Sequence, residues 1–68
     1  MYYVAITSDT HTTHMWFWTG KSWIFWPPAS PPARTKYWKT DRGAREFIQK
    51  MCEEGLLSPS QKIQVFRL

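Results

Sequence analysis

Few residues in this chain have types that could carry chemistry, and their spacing narrows the choice further. His11 and His14 form an H-x-x-H pair near Asp9, and the single cysteine, Cys52, lies far along the chain. Structural zinc wants four closed ligands, usually with paired cysteines, so these are read as polar loop histidines and no metal ligand is assigned. Cys52 would need a histidine or a cation beside it to act as a thiolate nucleophile. Its helical neighbours provide none, and a free cysteine there reads as a small hydrophobe. Gly20, Lys21 and Ser22 match the end of a phosphate-binding loop, but Met15 stands where that loop's first glycine belongs and no helix follows. Asp41, Glu46, Glu53 and Glu54 are scattered, with no pair placed for general acid and base work. No catalytic residue and no cofactor is assigned, so the expectation is a binding module rather than an enzyme.

What remains is aromatic and basic. Residues 15–26, MWFWTGKSWIFW, put six aromatic rings around a Gly-Lys pair. The pattern predicts a β-hairpin with Gly20 and Lys21 at its tip in a type II′ or related turn, and with Trp18 opposite Trp23. Alternation then places Met15, Phe17, Ile24 and Trp26 on one face, and Trp16, Trp18, Trp23 and Phe25 on the other. Both faces are apolar, so each needs a cover or a partner. The candidate partner-binding residues are Trp16, Trp18, Trp23 and Phe25, with Lys21, Arg34, Lys36 and Lys39 as basic neighbours. Trp and Arg are common interface anchors, which favours docking onto an acidic protein surface. The alternatives are stacking of unpaired bases, with the cations on phosphates, or closure on a second copy as a homodimer. A further reading has Pro27, Pro28, Pro31 and Pro32 cover the rings, leaving only a compact fold.

At 68 residues the chain makes one domain, near the lower limit for a self-sufficient core. Its aromatic content is therefore first a means of burial. Nine Lys and Arg against five acids give a net charge of +4, which suits an acidic protein, nucleoprotein or nucleic-acid partner. One cysteine closes no disulfide, which fits a reducing compartment. No run approaches a membrane span and no signal-like leader opens the chain, so a soluble cytoplasmic protein without a membrane partner is expected.

The elements that must position these residues follow in order. Residues 2–7 read as a strand, residues 8–14 as a polar loop, 15–26 as the hairpin and 27–33 as an extended proline-rich segment. Residues 34–39 read as a short edge strand guarded by lysines. Thr40 then caps a helix over 41–54, with Ala44, Phe47, Ile48 and Met51 at i, i+3, i+4 and i+7. Gly55 suits the left-handed position that ends it, with Leu56 folding back on the last turn. Residues 58–61 read as a turn, and 62–68 as a last strand with Ile63 and Val65 inward. The predicted fold is α+β: a small antiparallel sheet of three to five strands with one amphipathic helix on one face. The helix stripe is expected on the face carrying Val4, Ile6 and one side of the hairpin, with the proline segment shielding the other side.

The strand pair, then Ala33 and the run KYWKTDRGAREFI with Thr40 and Ala44, then a closing strand, resembles many very small phage-encoded proteins of unknown function. Some such proteins, including anti-CRISPR proteins, inhibit host defence complexes by binding them. The resemblance implies an inhibitor of a host protein or nucleoprotein complex, acting in the host cytoplasm. It is one of pattern and carries no functional residue with it.

Overall fold

The computed structural model describes residues 1–7, 13–57 and 62–68. The predicted turn at 58–61 lies outside the described residues, as does most of the loop at 8–14. The strands are β1 (Tyr2–Thr7), β2 (Met15–Trp18), β3 (Trp23–Trp26) and β4 (Lys62–Arg67), and the helix is α1 (Asp41–Glu53). They form a four-stranded antiparallel sheet in the order β3-β2-β1-β4, packed with the helix in a two-layer α+β fold. The first and last strands are thus neighbours, paired from Tyr2↔Arg67 to Thr7↔Lys62. The hairpin has Trp18 opposite Trp23, as expected. Gly20 has φ +98 while Lys21 keeps a negative φ, and Thr19 N–H donates to Ser22 O at 3.0 Å across the tip. Thr19 Oγ1 accepts from Ser22 N–H at 3.1 Å, so a side chain supplies an acceptor at the tip.

Register decides which hairpin face the helix shares. Ile6 pairs with Trp16 and Ala5 with Phe17, so Val4 and Ile6 lie on the same side as Trp16, Trp18, Trp23 and Phe25. Phe47 of α1 meets Trp18 at 5.4 Å and Trp38 at 5.0 Å between ring centroids, which puts α1 on that side. The side left to the segment after β3 is therefore the one with Met15, Phe17, Ile24 and Trp26. Phe17 is nonetheless fully buried. It packs with Tyr3 and Ala5, flanked by Met15, Phe66 and Tyr37, and Tyr37 closes on Tyr3 edge to face at 6.1 Å.

The segment at 34–39 differs from the edge strand expected of it. It makes one bridge, Tyr2↔Trp38, and it does so against the central strand. Trp38 exchanges both backbone hydrogen bonds with Tyr2 at 2.9 and 2.8 Å, and Lys36 N–H donates to Trp18 O at 2.8 Å. The pairing of β2 with β1 reaches only Ala5↔Phe17, so residues 36–38 take up backbone groups beside β1 that β2 does not reach. The anchor behind them is Pro32, buried, whose carbonyl accepts from Thr35 N–H at 3.0 Å and Thr35 Oγ1 at 2.7 Å.

Helix α1 begins where Thr40 Oγ1 accepts from Gly43 N–H at 3.0 Å. Gly43 has a reason beyond the cap: a Cβ there would lie 3.3 Å from Trp38 Cδ1, so its absence lets the indole close on the first turn. The helix ends in a Schellman motif, with Leu56 N–H donating to Met51 O and Gly55 N–H to Cys52 O. Gly55 adopts φ +76. The Leu56 side chain does not fold back as expected. It is 63% exposed, and Leu57 is the buried one at 4%.

Two measurements check this account. Thr40→Ala should lower stability by about 1 kcal/mol in urea unfolding, since it orphans an N-terminal donor. Burial first, then Tyr37, pushes the Tyr3 phenol above its ordinary value of 10.0. A raised folded pKa means stability intact below the unfolded value and lost as pH rises above about 10. Tyr3→Phe should flatten that alkaline loss in thermal unfolding between neutral and alkaline pH.

Candidate recognition surface on the hairpin

The four aromatic residues assigned from the pattern share a face but not a task. Trp18 is held on two sides, by Trp23 at 5.0 Å and by Phe47 at 5.4 Å, and acts as the joint between hairpin and helix. Trp16 packs on Phe25 at 4.5 Å, and Phe25 stacks on His14 at 4.9 Å while remaining 41% exposed. Trp16 and Trp23, both half-buried, line an open groove of ≈ 430 Å³ with Ile6, Leu56 and Leu57. One wall is the hairpin and the other is the residue pair that follows the helix cap.

Among the described residues no proline lines this groove. Pro27 and Pro28 are exposed, Pro31 is half-buried, and the buried Pro32 anchors the segment that leads to Tyr37 on the opposite face. Pro27, Pro28, Pro31 and Pro32 therefore leave the groove open. Leu56 and Leu57 escaped assignment as site residues because they follow a helix-ending glycine, where an apolar side chain ordinarily caps its own helix.

Three of the four assigned cations gather at the hairpin tip. Lys21 and Arg34 line a shallow depression of ≈ 400 Å³ with Thr19 and Ser22. Lys36 extends its stem past Gly20, and its ammonium lies 5.9 Å from the centre of the Trp38 ring. That distance is within cation-π range. Lys39 is exposed next to the N-cap, and no described contact joins it to the other three.

The described acids lie elsewhere, on and just after α1. Asp41 holds Arg45 at 2.7 Å and Glu46 holds Arg42 at 2.9 Å along the helix surface. Among the described residues no carboxylate pairs with Lys21, Arg34 or Lys36, so the tip is a cationic end adjoining the Trp23 end of the hairpin. Asp9 and His11 lie outside the described residues. Among the described ones no three His, Cys, Asp or Glu gather as a metal site, and no helix is long and apolar enough to cross a membrane. Comparison with known proteins found no matching family model, curated protein or solved structure.

The division of labour is measurable. Trp18→Ala should destabilise the fold by about 2–3 kcal/mol, because it opens the contact between hairpin and helix. Lys21→Ala and Arg34→Ala should each change stability by less than about 0.5 kcal/mol in the same unfolding assay, since both are exposed and no described residue pairs with either side chain.

Proposed function

We propose that this protein is a non-enzymatic binding module that docks through the hairpin groove and its cationic tip onto an acidic protein surface. One observation supports the reading above others: an open apolar groove with two indoles in its wall adjoins a group of cations that no described acid neutralises. Apolar anchors beside unneutralised charge are what a protein interface uses for affinity and orientation respectively. A partner that is a host defence protein or nucleoprotein complex, with the chain encoded by a phage or other mobile element, rests on the resemblance in sequence pattern alone. A cytoplasmic site of action rests on cysteine usage.

Single-stranded nucleic acid is the rival occupant, since indoles beside lysines also stack bases. Capture from a host lysate by the tagged chain, with and without nuclease, tests both. The expected result is a nuclease-resistant partner that is lost with Trp16→Ala/Trp23→Ala and with Lys21→Glu/Arg34→Glu. Leu56→Glu, at a position already 63% exposed, serves if the double indole variant fails to fold. Unchanged capture by these variants overturns the proposal. Oligonucleotide binding that falls steeply between low and moderate salt transfers it to nucleic acid. A dimer in light scattering that these variants break transfers it to self-association.

A further inference from the structure

The second edge of the sheet has an organisation of its own. Strand β4 is outermost. Tyr2 commits both its backbone groups to Trp38, so Tyr2 and Arg67 form a pair without mutual hydrogen bonds. Leu68 N–H donating to Met1 O at 2.8 Å fixes the same phase. Antiparallel alternation then turns the N–H and C=O groups of Ile63, Val65 and Arg67 away from β1. Among the described residues nothing bonds to them. Such a row is a template for one more strand.

A groove adjoins that row. Helix α1 packs over β1 and β4, so it rises beside the outer strand. Arg45, Ile48 and Gln49 of α1 and Ile63, Gln64 and Val65 of β4 enclose a groove of ≈ 490 Å³. Its floor is aliphatic and its rim polar. A strand laid along β4 directs every second side chain to one face, here toward Ile48, Ile63 and Val65.

We infer that the β4 edge and this groove take an extended, acidic segment of a partner polypeptide as a fifth strand. The backbone row selects a polypeptide, because alternating donors and acceptors match another main chain and not a phosphodiester. The charges select its sign. Strand β4 contains no acid, Arg67 is exposed at one end, and Arg45 stands on the rim. Arg45 is bound to Asp41, but that pair is exposed, 69% and 45%, and such pairs exchange readily with another carboxylate. A second copy would bring the same cations against this edge and a net charge of +4 with it, which disfavours self-pairing. This surface lies on the sheet edge opposite β3 and does not depend on the hairpin groove.

The test uses the full chain, isotopically labelled, and a capped octapeptide of alternating valine and glutamate. Binding should shift the amide signals of Ile63, Val65 and Arg67 and slow their hydrogen exchange. A valine and lysine peptide should bind at least about tenfold more weakly. Val65→Pro removes a donor that faces the guest and not β1, and should abolish binding while the remaining spectrum stays native. If that variant does not fold, Arg45→Glu decides, with an expected loss of about tenfold. Overturning results are no binding at about 1 mM peptide, shifts confined to the hairpin groove, equal affinity for both peptides, or β4 amides protected by raising protein concentration alone.

Discussion

Everything in this fold depends on β1 being paired along both sides. Its backbone is shared among β2, β4 and Trp38, so the strand nearest the start of the chain is also an inner strand of the sheet. Val4 and Ala5 are fully buried there, one on each face. A chain of this size cannot bury a central strand with one helix alone, and the segment after β3 serves as the second cover. The proline-rich stretch is therefore a structural strap, and its buried part, Pro32 with Thr35, is what lets Tyr37 close over Tyr3 and Phe17.

Placing the strap on one face has a consequence on the other. The indole face is shared with α1, but the helix lies over β1 and β4 and reaches the hairpin through Phe47 on Trp18. Trp16 and Trp23 sit beyond that contact and border a groove instead of a core. Among the described residues nothing further covers this aromatic area, so it borders an opening.

Charge is distributed with the same asymmetry. Along α1, acids and arginines alternate at i and i+4, so their fields largely cancel within each turn. The hairpin tip carries cations without described counter-ions, and β4 carries cations without acids. An oppositely charged partner would thus be oriented toward the strands and away from the helix surface.

Much of this was legible in the residues themselves. The hairpin, its register and tip, the helix with its cap and terminating glycine, and the α+β class all follow from local rules: alternation, a positive φ at Gly20, an orphan donor met by Thr40. The basic composition and the facial grouping of the four aromatic residues were readable in the same way. Three things were not. Which hairpin face the helix shares was decided by the pairing of Ile6 with Trp16, a long-range register that no local pattern encodes. Residues 34–39 looked like an edge strand because extended chain looks the same at an edge or beside a central strand, and only the early end of the β1–β2 ladder made room for Trp38 at Tyr2. The roles of Leu56 and Leu57 depended on where the helix ends relative to the hairpin. Local sequence dictates local conformation because neighbouring residues impose it. Tertiary structure alone decides which surfaces stay uncovered, because that depends on how much chain is left to cover them.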